Sequence, residues 1–284
     1  MEILYIIGLI ILIICLLMWM KKPQISIFEK MRPYVEKKKI FRGVSRNISI
    51  VTSFFKEDMS WLYDSVMVDF LNKVQPKGIK VNLYIYIKSD TPVHNKDKLL
   101  QLFDSVQVKY LPNVGMCAHT FIYHICTHYD KNELLMFLPG SSTNNIKIEL
   151  YKNIMQNGWK YDYYFTHASH HKLERDFVID NYKVTDPQNQ IPESLNLKLS
   201  PVRPFEKWYI YVTSPYKKLS LDGYQFTNIK DIFSVHMMII QQMPLEFYLE
   251  LLDQLSESIN LEVCHYIERM WYPLFASLAN EIRR

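Results

Sequence analysis

The sequence predicts an α/β protein built on a mostly parallel, doubly wound sheet, preceded by a transmembrane helix. Two observations carry the sheet: short β-rich runs recur along the chain, and apolar segments of helical spacing separate them. A third, the Pro, Gly and polar clusters at the joins, sets the boundaries. Strands alternating with helices in this way imply βαβ units and parallel pairing.

The chain opens with an uncharged apolar run from Ile3 to Met20. At the rise of an α-helix this run is about 27 Å long, enough to cross the hydrocarbon of a bilayer. No basic residue precedes it and no small-x-small site succeeds it, which sets it apart from a cleaved signal peptide. Residues 1–22 are therefore expected to be a single-pass anchor, with Trp19 near its end as an interfacial aromatic. Residues 23–46 form a basic juxtamembrane stalk suited to contact with anionic lipid headgroups. The basic residues from Lys21 to Arg46 outnumber Glu29 and Glu36, a bias that favours the cytosolic side for the domain beyond the stalk.

The remainder, 47–284, is read as one domain. Ile48 to Phe54 is the first buried strand, and Trp61 to Val74 carries helical spacing through Leu62, Val66, Phe70 and Val74. Pro76 and Gly78 turn the chain into a second strand, Lys80 to Ile87. A short helix from Leu99 to Phe103, a strand from Val106 to Tyr110, a helix from His119 to Tyr129 and a strand from Leu134 to Leu138 come next. Residues 160–215 are irregular and proline-containing, with Lys207 to Thr213 expected as a strand. Ile229 to Met238, Leu245 to Leu255 and Val263 to Leu278 are expected as helices.

Composition excludes several functions. Nearly half of the chain, 49%, is hydrophobic, so it can build a core. A net charge of +4 gives no case for nucleic acid as a ligand. Seven glycines and no G-x-G-x-x-G or Walker pattern argue against a glycine-rich nucleotide loop. Cys15 sits in the apolar run, and Cys117, Cys126 and Cys264 are an odd set without paired spacing, which argues against a disulfide framework. No Asp-x-Asp pair is present, so no carboxylate clamp for a divalent metal on a diphosphate is expected.

Candidate residues gather in two places. Asn113-Val114-Gly115 opens the helix after the third strand, either as an ordinary helix start or as a turn offering N–H groups to an anion. Glu262, His265, Glu268 and Arg269 are ionisable groups in an apolar helix, costly to bury unless paired or used. Glu262, His265 and Arg269 share one face, with Glu268 off it; a salt-bridge ladder and a tuned Glu–His base are both open readings. His124 and His128, four apart, and the cluster His167, His170, His171 lack the third ligand that would make a metal site.

Four stretches in order, Ile50 to Leu62, Pro112 to Ile125, Met136 to Gly140, and Asp222 to Phe226 with Glu262 to Trp271, resemble the family catalogued as domain of unknown function three-four-three-one. That family resembles glycosyltransferases of the GT-A type. The resemblance implies a nucleotide-sugar donor lying near Glu57, Asp58, Asn113 and Gly115, with Arg269 offsetting its phosphate charge and Glu262 or His265 deprotonating the acceptor hydroxyl. Met116 and Cys117 stand where the family carries Arg and an acid, and Pro139-Gly140 where it carries Gln-Gly. These departures leave open a catalytically inactive, membrane-tethered interaction module of the same fold.

Overall fold

The computed structural model describes residues 47–90, 92–93, 95–144, 147–166, 171–180, 197–228 and 230–282. The expected anchor, the basic stalk, His167 and His170 lie outside the described residues. Among the described residues no helix is long and apolar enough to cross a membrane.

The protein is α/β. In chain order the elements are β1 (Asn47–Phe54), α1 (Ser65–Val74), β2 (Lys80–Ile87), α2 (Lys96–Leu102), β3 (Ser105–Tyr110), α3 (Met116–His128), β4 (Leu134–Pro139), α4 (Ile148–Asn157), β5 (Tyr163–Phe165), β6 (His171–Lys172), α5 (Phe205–Thr213), β7 (Phe226–Thr227), β8 (Phe233–His236), α6 (Met237–Ile240), α7 (Leu245–Leu255) and α8 (Glu262–Ile282). Six strands form one mixed, mostly parallel sheet in the order β3-β2-β1-β4-β8-β5, and β6 pairs with β7 in a separate ribbon. β1 is parallel to both β2 and β4, while β8 runs antiparallel between β4 and β5.

Side chains alternate across the strands, so each strand feeds two cores. On one face Ile48, Ile50, Leu83, Ile85, Met136 and Leu138 pack with Phe70 and Leu71 of α1 and Tyr151 and Ile154 of α4. On the other, Phe137 meets Phe121 of α3 with ring centroids 4.8 Å apart, and Phe233 meets Trp271 of α8 at 5.4 Å. Helices on both faces are what double winding requires.

Three expectations are corrected. The segment Trp61 to Val74 is not one helix: Ser60–Tyr63 is a 3₁₀ turn, and Asp64, extended at ψ 173°, restarts the chain by accepting from the Met67 N–H at 2.8 Å. Lys207 to Thr213 is helical within α5, because Phe205, Trp208, Tyr209 and Val212 are buried at i, i+3, i+4 and i+7 and this packing overrides β-type residue preference. Ile229 to Met238 is not a helix: Phe233–His236 fills the gap between β4 and β5, and Ser234 Oγ donates to the Gly158 carbonyl at 2.8 Å. Helix α4 and strand β5 have no counterpart among the expected elements.

Two histidines of α3 are buried as neutral rings. Burial, with the charge of Lys88, pushes His119 down to about 3, and burial with neighbouring His128 holds His124 well below the usual imidazole range. The unfolded chain binds these protons near pH 6.5 and the folded chain does not, so stability falls as the pH drops below that value. Between pH 7.5 and 5 each ring is expected to contribute a loss of about 2 kcal/mol, read by urea unfolding at the two pH values.

Candidate functional site

In the strand order β3-β2-β1-β4, the chain winds one way from β1 and the other way from β4, so the switch point lies between the carboxyl ends of β1 and β4. Open α/β sheets bind their ligands at such a point. The two strand ends touch closely here. The Gly140 N–H donates to the Ser53 carbonyl at 2.7 Å, and a Cβ on Gly140 would lie 2.7 Å from that oxygen and 3.0 Å from Glu57 Oε2. The Trp61 indole N–H donates to the Gly140 carbonyl at 3.0 Å.

Glu57 folds back over this junction. Its Oε2 accepts from the backbone N–H of Phe55 at 2.6 Å and of Lys56 at 3.2 Å. Asp58 serves the following turn: its two oxygens accept from the N–H and hydroxyl of Ser60, which hold the carboxyl below its ordinary range. Beside them the ends of β1 and β2 open into a groove of about 570 Å³, lined by Phe55, Lys56, Lys88, Ser89, Asp90 and Pro92.

The start of α3 forms the next wall. Gly115 and Met116 both have left-handed backbone, φ 57° and 49°. Lys88 is buried beneath this turn and donates its ammonium to the carbonyls of Val114, at 2.5 Å, and Met116. Burial pushes the Lys88 ammonium down to about 8. Gly115 donates its N–H to the Ser258 carbonyl, and a Cβ there would come within 2.6 Å of the Leu255 carbonyl oxygen. Gly115→Ala is expected to destabilise by about 2 kcal/mol or more, since both φ and the backbone contact forbid a side chain; thermal unfolding measures it. Asn113 is half-buried in the same turn but does not cap the helix, whose N-cap is Gly115 without a side-chain bond.

Helix α8 presents two faces with different duties. Glu262 is fully buried and accepts from the N–H groups of Ile179, at 3.0 Å, and Ser200, at 2.9 Å, and from the Tyr266 hydroxyl at 2.9 Å. Arg203 Nε adds an ion pair at 2.9 Å. Arg269 lies with its guanidinium 3.3 Å from the Phe177 ring centroid and donates to the His265 carbonyl at 3.0 Å. His265 Nδ1 is 3.6 Å from Glu268 Oε2. The face shared by Glu262 and Arg269 thus grips the segments around Phe177 and Ser200.

Cys264, Glu268 and Trp271, at i, i+4 and i+7, take the other direction, where Glu268 and Trp271 neighbour Asp231, the residue before the approach to β8. Asp231 has φ 56°, is 6% exposed, and its Oδ1 has no hydrogen-bond partner among the described residues. Burial first, then the Glu268 carboxyl beside it, raise the Asp231 carboxyl well above the carboxylate range, while Lys147 and Trp271 act in the opposite sense. Burial lifts the Cys117 thiol to about 12, with the charges of Asp231, Lys147, Glu57 and Lys88 all reaching it. The Cys264 thiol, also raised by burial, feels Lys88, Glu268 and Asp231. Lys147 is tethered to this region by donating to Ser141 Oγ at 3.0 Å, just past β4.

One charged centre therefore gathers Glu57, Lys88, Cys117, Lys147, Asp231 and Glu268 at the carboxyl ends of the strands. Of the residues singled out in sequence, Glu57 and Gly115 border it, whereas Glu262 and Arg269 hold neighbouring segments. Lys88 opens the strand-end loop after β2, one of the loops where a ligand is expected from sequence, whereas Lys147 and Asp231 were missed. The β-type run Ile232-Phe233-Ser234-Val235 was the available signal for Asp231, since it makes the preceding residue a strand-end residue. Among the described residues no group of three or more His, Cys, Asp and Glu side chains could hold a metal ion. No family model, curated protein or solved structure matches the chain.

Proposed function

We propose that the protein is a membrane-anchored, GT-A-like sugar transferase that uses a nucleotide-sugar donor without a divalent metal. The observation that carries this reading is the open groove at the ends of β1 and β2, about 570 Å³, adjoining the charged centre at the switch point. Its aromatic Phe55 offers a face to a base, and Asp90 an acceptor for ribose hydroxyls. The first-turn N–H groups of α3 and the ammonium of Lys147 supply positive charge for a diphosphate, the task a metal performs elsewhere.

The acid pair then does the proton chemistry. Burial and the neighbouring Glu268 carboxyl favour the protonated form of Asp231, so in this reading Asp231 holds a proton and Glu268 is the acceptor. Glu268 accepts the proton of an acceptor hydroxyl as its oxygen bonds to the anomeric carbon. The bond from that carbon to the diphosphate oxygen breaks, and the nucleoside diphosphate leaves with the electron pair. The base assignment thus passes from Glu262, whose oxygens are filled by structural donors, to the opposite face of the same helix.

Calorimetry of the full-length chain with a panel of nucleotide-sugars, with and without Mn²⁺, tests the reading. Saturable binding and donor turnover that do not need Mn²⁺ are expected. Absence of both binding and donor hydrolysis would sink the transferase and favour the interaction module, for which the fold-back of Glu57 over Gly140 is the supporting contact.

A further inference from the structure

Away from the cleft, the sheet carries a second groove. β3 is the edge strand, and the face it shares with β2 is walled on one side by the second half of α3. The groove measures about 310 Å³ and is lined chiefly by Tyr84, Tyr86, Gln107, Lys109, Tyr123 and His128. His128 lies eleven residues beyond Cys117 on α3, about 16 Å along the helix from the charged centre.

Its polar atoms are mostly donors. The Tyr84 hydroxyl accepts from Lys131 Nζ, and from Gln107 Nε2 at the long limit of 3.5 Å. The Tyr123 hydroxyl accepts from Lys109 Nζ, whose ammonium also lies 4.7 Å from the Tyr123 ring centroid. A phenol that accepts from an ammonium keeps its own proton to donate, and neither hydroxyl donates to an acceptor among the described residues. The Lys109 ammonium and two phenol protons therefore border this space, and the Lys131 ammonium reaches it through the Tyr84 hydroxyl. Glu133, whose charge reaches Tyr86, is pushed by burial toward its protonated form, and its Oε2 accepts from the Ser49 hydroxyl at 2.6 Å. The walls are aromatic: Tyr86 and Tyr123 meet edge-on at 5.8 Å, Tyr84 and His128 at 4.8 Å, and His128 stacks on His124 at 4.2 Å.

We infer that this groove binds a single sugar ring carrying a negative charge, a uronate or a sugar phosphate. Tyrosine rings give a rigid, amphipathic surface for the C–H face of a sugar, and their hydroxyls bond its oxygens. Lys109 fixes the anionic substituent, with the charge of Lys131 behind Tyr84 in support. The volume is at the small end for ligand sites and suits one ring better than a nucleotide. This site is independent of the transferase reading, and stands or falls without it.

Saturation-transfer NMR on the full-length chain in detergent micelles tests it, with glucuronate, glucose 6-phosphate and glucose as probes and inorganic phosphate as competitor. Both acids should show saturable transfer in the millimolar range, with glucose at least tenfold weaker. Phosphate at equal concentration should displace little glucuronate, and a nucleoside diphosphate none. Lys109→Gln with Tyr123→Phe should weaken glucuronate at least tenfold with an unchanged unfolding midpoint. Lys131→Gln, which removes the donor to the Tyr84 hydroxyl, is the second variant should the first pair unfold. The inference is overturned if neither acid binds saturably, if phosphate competes as well as the sugar acids do, or if the folded variants bind as the parent does.

Discussion

Glu262→Ala is expected to lower the stability of the domain by about 3–5 kcal/mol, the loss seen when one member of a buried, hydrogen-bonded ion pair is removed. The side chain is fully buried, and its removal strands the Ile179 and Ser200 N–H groups and the Tyr266 hydroxyl without their acceptor. Glu262→Gln is expected to lose roughly 2–3 kcal/mol, because an amide offers one oxygen and turns an N–H toward the remaining donors. Urea unfolding with the midpoint and slope fitted separately measures both. A base residue would behave otherwise: its Gln variant would keep the unfolding midpoint and lose turnover. Retained stability in Glu262→Gln together with lost donor turnover would return Glu262 to the chemistry.

The parallel half of the fold was legible because its strands are nearly continuous apolar runs closed by Pro, Gly and Asp. Lys80–Ile87 and Leu245–Leu255 coincide with their expected spans. The antiparallel half was not. Phe233–His236 and Tyr163–Phe165 are too short to show a period, and each exists because a neighbouring strand offers it a ladder. The same cause hid the site. Asp231 is a strand-end residue only once β8 is a strand, and a helical reading buries it in the middle of a turn. On α8 the sequence marks four charges but not which face is inward. Spacing groups Glu262, His265 and Arg269, and chain segments from elsewhere occupy that face, through Phe177 on Arg269 and Ser200 on Glu262. Glu268, the charge off that face, is the one that reaches the strand ends.

Asp231 and Glu268 are expected to separate stability from catalysis. A folded-state carboxyl raised above its unfolded value of 3.8 adds stability below that value and loses it as the pH climbs to its own titration point. Asp231→Asn removes that decline, so the variant should gain on the parent steadily above pH 4, by roughly 1–3 kcal/mol at pH 7. The slope is opposite in sign to that of His119 and His124, which lose stability as the pH falls below 6.5, so Asp231→Asn should leave the histidine loss in place while removing the opposing decline. Glu268→Gln keeps shape and removes the proton acceptor. If the transferase reading holds, donor-to-acceptor turnover should fall by about 10²–10⁴-fold, the contribution of a general base, while the affinity for the nucleotide-sugar changes little. Asp231→Asn, which imitates the protonated acid, should lose far less. Equal losses in the two variants, or a Glu268→Gln chain that still turns over at the parental rate, would remove this pair from the chemistry. The altered pH profile of Asp231→Asn is expected even then, because the raised Asp231 carboxyl follows from its burial and not from any substrate.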